Sequence, residues 1–449
     1  MTGSILAGWG GTSRTVSDVE RPLDLAALRS QIIGAGPRGV ITRGLGRSYG
    51  DPAQNAGGSV IDLTSWSGIL ALDPGAPSVR VQAGASLDQL LRELLPHGLW
   101  LPVVPGTRQV TIGGAIAADV HGKNHHVDGS FGNHVLSLDL MLASGDVVTL
   151  TPGGEDAPLF WATIGGMGLT GVVLEATIAL KTIETSYFVV DTERTPDLAT
   201  LLDRLVSGDA NYDYSVAWFD TATTGSSLGR AVITRGNSAT LDDLDPAERA
   251  GALDFAGRQV GRVPLDLPVS MVNGLTARAF NALWYAKAPR HRIGEVQDIT
   301  RFFHPLDVVG RWNRLYGPHG FCQYQFVVPD GEEAAFTTAV EHIAASGHVS
   351  SLNVLKRFGP GNAGPLSFPI PGWTLAVDLP VRAGLDQLLS HLDALVATAG
   401  GRVYLAKDSR MSADAVRRMY PRLEEFLALR RRVDPDGVFR SDLSRRLDL

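Results

Sequence analysis

A single cysteine, Cys322, stands in a chain of 449 residues. No intrachain disulfide is therefore possible, and the fold owes nothing to oxidation. That does not settle the compartment. Long apolar runs are also missing: none approaches the roughly 18 residues that a membrane-spanning helix needs, so any membrane contact is expected to be peripheral. The opening MTGSILAGWGGTSR lacks a basic n-region and a long apolar h-region, so no Sec signal is expected. Basic excess is absent too. The net charge is -7 and the pI about 5.9, which argues against a general nucleic-acid partner. There is no internal repeat and no low-complexity tract. With 44% hydrophobic and 19% charged residues, the chain is globular and ordered. Its length makes two domains the prior.

Glycine is plentiful: 51 residues, concentrated in the first 175 or so. The chain is organised around residues 104–126, VPGTRQVTIGGAIAADVHGKNHH. Glycines let a backbone approach a ligand closely, and free N–H groups in such a turn form an anion-binding concavity. Gly113, Gly114, Ala115, Ala117 and Ala118 leave room for something flat and large, with His121, Lys123 and His125 at its rim. The stretch reads either as a cofactor-pocket wall or as a Gly/Ala-rich helix–turn packed in a core. The HxxxH spacing of His121 and His125 does not make a metal site, because no carboxylate or cysteine completes it.

Strands are expected at 39–43, 59–63 and 79–83, and a helix at 86–95 capped by Ser86. The first strand empties into RGLGRSYGD (43–51), a phosphate-binding context that fits neither a Rossmann nor a P-loop pattern. A hairpin over 137–150, a helix over 155–163 and a strand over 172–180 complete a glycine-rich α+β unit. From about 186 longer strands appear, at 187–190, 214–219, 229–234, 321–328 and 373–379. Helices at 197–206, 334–346 and 386–397 lie on one face of that sheet. Residues 236–270 read as a long loop. The expected division is 1–185, 186–401 and a C-terminal segment, 402–449.

Three blocks in order, RGLGRSYGD (43–51), PGTRQVTIGGAIAADVHG (105–122) and GGMGLTGVVLEATI (165–178), resemble the vanillyl-alcohol-oxidase-type (PCMH-type) flavoproteins. That resemblance implies an α+β, two-domain fold. An FAD-binding domain would be followed by an antiparallel-sheet substrate domain, with 402–449 returning to the first. HGKNHH (121–126), GSFGNHV (129–135), AWFD (217–220), FHPLD (303–307), QYQFVVP (323–329), PLSFPIPGW (365–373) and AKDSR (406–410) resemble one narrower family over roughly 8–446. It is the decaprenylphosphoryl-β-D-ribose 2-oxidases, the FAD subunits of an epimerase.

The resemblance implies flavin contacts from Arg43, Gly44, Leu45, Gly46, Arg47, Ser48, Tyr49 and Gly50. It adds Gly106, Thr107, Thr111, Ile112, Gly113, Gly114, Ala117, Ala118, Asp119, Val120, His121, Gly171 and Tyr404. Where covalent members carry the flavin-bonded His, this chain has Arg47, so FAD is expected to be non-covalent. Lys407, His121, Tyr49, Lys123, Gln325 and Lys356 match active-site positions. Oxidation of a secondary alcohol needs a base for the hydroxyl proton, and a buried Lys beside other cations is tuned for that. Lys407 is the first choice and His121 its rival. Lys123 and Lys356 are candidates to hold the phosphodiester or the reacting oxygen. Gln323, Thr374, Trp218 and Phe303 are candidate substrate contacts.

Tuberculosis-type members carry Cys and Asn where this chain has Ala376 and Thr374. The absent thiol should remove covalent inactivation by activated nitroaromatics, and Cys322 is not expected to replace it. The implied reaction is oxidation of the ribose 2-hydroxyl to the keto sugar. An NADH-dependent keto-reductase would complete the epimerisation, and a quinone or O₂ would reoxidise the flavin. Residues 236–270 and 285–305 are expected to form an apolar mouth at a membrane surface, on the cytoplasmic or the periplasmic face. The alternatives are an oxidase of a soluble alditol or aldonolactone and a non-catalytic lipid-phosphate-binding paralogue.

Overall fold

The computed structural model describes residues 3–257 and 259–449. The architecture is α+β. The N-terminal part holds two sheets. The first has four strands in the order Ser4–Ala7, Arg14–Glu20, Ser59–Asp62, Val40–Arg43, with its last two pairings parallel. The second has five antiparallel strands, Ile69–Asp73, Ser78–Gln82, Val172–Ala179, Val135–Met141 and Val147–Leu150. The first two strands precede residue 39, where the sequence places its first strand. They are largely exposed, so they give little period-2 signal.

The larger sheet is antiparallel throughout. Its order is His291–Asp298, Tyr187–Thr195, Ala231–Ser238, Tyr214–Phe219, Asn353–Phe358, Gly372–Pro380, Phe321–Pro329, Arg402–Val403. Helices Leu198–Gly208, Glu333–Ala345 and Leu385–Thr398 bury their apolar stripes against one side of it. The other side faces the N-terminal part. The chain then returns: Val40 N–H donates to the Val438 carbonyl, and Arg440 N–H donates to the Val40 carbonyl. Arg446 bridges Asp51 and Asp408 at 2.7 and 2.8 Å.

One expectation is corrected. Residues 236–270 are not one irregular loop. They contain the end of the Ala231–Ser238 strand, the helix Pro246–Ala250, and Gly261–Arg262 paired in parallel with Val309–Gly310. The helix is set by an Asp245/Glu248 capping box with proline in its first turn, a legible signal. The stretch 285–305 is built from the end of helix Gly274–Lys287, the edge strand His291–Asp298 and helix Ile299–Phe303. The first of these buries only Ala277 and Asn281, so no apolar stripe announced it.

Candidate active site

One cavity of about 320 Å³ opens between the large sheet and the glycine-rich part, a size ordinary for a small-molecule site. Sheet register assembles one of its walls. On Phe321–Pro329, Gln323 pairs with Asp378 and Gln325 with Ala376. On Asn353–Phe358, Val354 pairs with Ala376 and Lys356 with Thr374. Because side chains alternate, these positions share the face turned to the cavity. The other wall is the loop 43–50 and the segment 105–121. Thr111 caps helix Ile112–Ala117, accepting from Gly114 N–H. The turn following Leu405, with Tyr404 and Lys407, closes the end.

Most of the residues singled out in the sequence line this cavity. They are Arg43, Gly44, Leu45, Gly46, Arg47, Ser48, Tyr49, Gly50, Gly106, Thr107, Thr111, Gly113, Gly114, Ala117, Ala118, Val120, His121, Gly171, Tyr404, Gln323, Gln325, Lys356 and Lys407. The wall is made to exclude side chains. A Cβ on Gly44 would sit 2.2 Å from Thr111 Oγ1, and one on Gly113 would lie 3.1 Å from the Ala83 Cβ. Gly46 has φ +64°, a conformation that favours glycine. A smooth small-residue wall, with the buried Nδ1 of His121 lacking a partner among the described residues, fits a large flat ligand such as a flavin. The loop 43–51 contains neither His nor Cys.

Six of the residues that the resemblance singled out do not line the cavity, and neither do Ala115 and His125, both buried. Ile112 is fully buried in the core beneath it. Asp119 accepts from Ser130 Oγ (2.9 Å), Gly132 N–H (2.9 Å), Asn362 Nδ2 (2.8 Å) and Ser367 Oγ (2.5 Å). It is a structural clamp. Lys123 turns away, its Nζ donating to the Phe302 carbonyl and lying 4.2 Å from the Phe302 ring centroid. Burial, then Lys356, pulls it down to about 7. Phe303 packs among Trp100, Phe188 and Tyr214. Trp218 pairs with Val354 one strand beyond the cavity, and its Nε1 donates to the Ser351 carbonyl. Thr374 is fully buried and accepts from Gln325 Nε2 at 3.3 Å, orienting that amide.

The reactive end gathers cations in a dry place. Lys407 Nζ lies 3.9 Å from the Tyr49 ring centroid. Burial pushes its ammonium down, Asp378 opposes this, and Lys356 adds to it. Burial drives Lys356 down to about 8, and its Nζ donates to the Gly122 carbonyl at 3.3 Å. Gln325 Nε2 lies 2.9 Å from His121 Nε2. The amide donates, the ring nitrogen accepts, and the ring proton sits on Nδ1. Burial, then Lys356, His125 and Lys407, hold His121 well below the usual imidazole range, so it is neutral. Arg43 is spent on the Ala53 and Ala7 carbonyls.

Asp378 escaped the sequence reading. Its carboxylate accepts from Gln323 Nε2 at 2.5 Å. Burial raises it, with Gln323 and then Lys407 pulling it back. The alternation Thr374, Ala376, Asp378 was the available signal. Ala376 lines the cavity and Cys322 does not. Cys322 Sγ lies 3.5 Å from Ser409 Oγ.

Two buried histidines behind the site make the fold acid-sensitive. His125 and His304 are each pulled down to about 3, by burial first and then by Lys356 and Arg108 respectively. An unfolded His titrates near 6.5, so below that pH the unfolded chain binds more protons and stability falls with falling pH. Each ring costs about 1.4 kcal/mol per pH unit, or about 4 kcal/mol for both between pH 6.5 and 5. Denaturant midpoints at pH 7.5 and 5.0 read this directly. Equal midpoints would refute it.

Comparison with known proteins sharpens the assignment. Residues 31–151 match a family model described as FAD binding domain, and residues 379–447 match one described as D-arabinono-1,4-lactone oxidase. The chain is 51% identical over 99% of its length to decaprenylphosphoryl-beta-D-ribose oxidase of Mycolicibacterium smegmatis, covering 97% of that protein. It is 24% identical to L-gulono-1,4-lactone dehydrogenase of Mycobacterium tuberculosis over 99% of both chains. It is likewise 24% identical to alditol oxidase of a Streptomyces species over 98% of both.

Proposed function

The chain belongs to the decaprenylphosphoryl-β-D-ribose oxidase family, and from that premise we propose how its residues carry the reaction. The protein is an FAD-dependent oxidoreductase that oxidises the 2-hydroxyl of decaprenylphosphoryl-β-D-ribose to the ketone. FAD, when bound, supplies the two-electron acceptor for the hydride leaving C2. Held non-covalently, it is cradled by the loop 43–50 and the small-residue wall. The observation that carries the mechanism is Lys407, buried over Tyr49 and facing Asp378. Its neutral amine takes the hydroxyl proton. The Lys356 ammonium stabilises the oxygen as negative charge grows there. Neutral His121, fixed by Gln325, orients the sugar. Burial of the Lys407 amine favours its neutral form.

The keto sugar is passed to an NADH-dependent keto-reductase, completing epimerisation to the arabinose donor of cell-wall arabinan. A quinone or O₂ regenerates the oxidant. Anaerobic addition of a short-chain prenylphosphoryl ribose to the yellow holoprotein tests the assignment. Bleaching of the visible flavin band is expected. Bleaching by free alditols alone would transfer the chain to the soluble-polyol oxidases.

The protein works at a membrane surface. No helix among the described residues is long and apolar enough to cross a bilayer. Helix Gly274–Lys287, however, exposes Leu275, Phe280, Leu283 and Trp284, and the preceding segment exposes Leu265, Val269 and Met271. Arg278 and Lys287 on that helix suit anionic lipid. Paired substitution Leu283→Asp with Trp284→Asp is expected to weaken vesicle binding about tenfold and to raise KM for a long-chain substrate only. Equal KM changes for long- and short-chain substrates would refute the membrane role.

A further inference from the structure

A second cleft, of about 360 Å³, adjoins the cavity, and the two meet at Trp9, Arg47, Asp307 and Trp312. Its chemistry is different. Among the described residues the wall carries Arg47, Arg92, Arg108, Arg262 and Arg311 against Asp88 and Asp307.

Both carboxylates are already engaged. Asp88 holds Arg92 at 3.0 Å and Arg108 at 2.5 Å. Asp307 accepts from Thr107 Oγ1 at 2.7 Å and from Arg108 N–H at 2.9 Å. Arg47 stacks on Trp9, its guanidinium carbon 4.0 Å from the ring centroid. Among the described residues no ion pair joins Arg47, Arg262 or Arg311 to a carboxylate. Arg108 is 2% exposed, and its Nη1 is buried without a hydrogen-bond partner, with only a loose ion-pair contact to Asp307 Oδ2 at 3.8 Å. A buried, unsatisfied, charged donor is costly and stays so until an acceptor arrives. Arginine forks match the paired oxygens of a phosphate.

The rim is apolar. Val309 lines the cleft and is 42% exposed, and Val260, beside the lining Gln259, is 82% exposed. Leu265 follows on the same segment, 72% exposed. Cations at the bottom and bare aliphatic side chains at the edge suit a phosphate ester with a hydrocarbon tail. They suit neither a free sugar nor an inorganic anion alone.

We infer that the Arg47–Arg108–Arg262–Arg311 cleft is a lipid-phosphate site, separate from the cavity where the alcohol is oxidised. The ligand is a prenyl phosphodiester on its way to the cavity or the headgroup of an anionic phospholipid. The first source rests on the substrate class proposed above, and the second does not.

The test uses FAD-loaded protein and farnesyl phosphate, which carries the phosphate and the tail but no oxidisable sugar. Calorimetry is expected to show binding at least tenfold tighter than inorganic phosphate, weakening as salt is raised. Paired substitution Arg262→Gln with Arg311→Gln, both exposed residues, is expected to weaken it about tenfold with flavin content unchanged. A raised KM for farnesylphosphoryl ribose in that variant, with kcat retained, identifies the substrate as the source. An unchanged KM with weaker binding to phosphatidylglycerol vesicles identifies the bilayer.

Farnesyl phosphate binding wild type and variant equally would overturn the inference, as would loss of flavin from the variant. If farnesylphosphoryl ribose never bleaches the flavin while farnesyl phosphate still binds in an arginine-dependent way, the substrate assignment falls and the cleft stands.

Discussion

Lys407→Met is expected to lower kcat by about 10³-fold while the protein remains yellow and folded. That is the range a positioned general base contributes. The substitution keeps the apolar stem against Tyr49 and removes only the amine, so substrate and flavin binding should change little. In the wild type the acid limb of the pH–rate profile reports Lys407, because the amine must be free of its proton to accept another. Activity is therefore lost as pH falls through its pKa. Asp378 raises that pKa by its charge. Asp378→Asn is thus expected to move the acid limb to lower pH, and Lys407→Met to abolish it. His121→Gln, by contrast, should raise KM more than it lowers kcat, since a ring held neutral by burial first and then by the Lys356 charge serves to orient. An acid limb that persists unchanged in Lys407→Met and disappears in His121→Gln would exchange the two roles.

The cavity was legible because its walls obey local rules. The small-residue run 113–118 and the loop 43–50 announce close backbone approach, and period-2 alternation put Gln323 and Gln325 on one face before any fold was seen. Cross-strand placement was not legible. Trp218 has the correct face parity, but strand order sets it one position too far from the cavity. Lys123 follows His121 by two residues, yet the turn between them sends its amine to the Phe302 carbonyl, a partner 179 positions away. Asp378 shares parity with Thr374 and Ala376, and only the antiparallel register with Gln323 gives it a role. The arginine cleft lay further still from sequence inspection. It joins positions 47, 108, 262 and 311 through the short parallel pairing of Gly261–Arg262 with Val309–Gly310.

Asp119→Ala is expected to destabilise the protein by about 4 kcal/mol, at the upper end for a single substitution. The glycine-rich block resembles flavin-contacting segments, and Asp119 sits inside it with positive φ, +41°. Its carboxylate faces the other way. The donors it satisfies come from two distant stretches, Ser130 and Gly132 on one side and Asn362 and Ser367 on the other. It therefore ties the turn after helix Ile112–Ala117 to the loop that leads into the central strand Gly372–Pro380. Each hydrogen bond to a charged group is worth about 1.5–3 kcal/mol, and removing the acceptor leaves buried donors unpaired. Asp119→Asn keeps the shape but presents an N–H₂ to at least one donor, so it should recover only part of the loss. The two possible roles separate cleanly in the measurement. A flavin ligand would lose FAD affinity at constant thermal midpoint of the apoprotein. A clamp lowers that midpoint by several degrees first, and flavin is released only as the two walls of the cavity part.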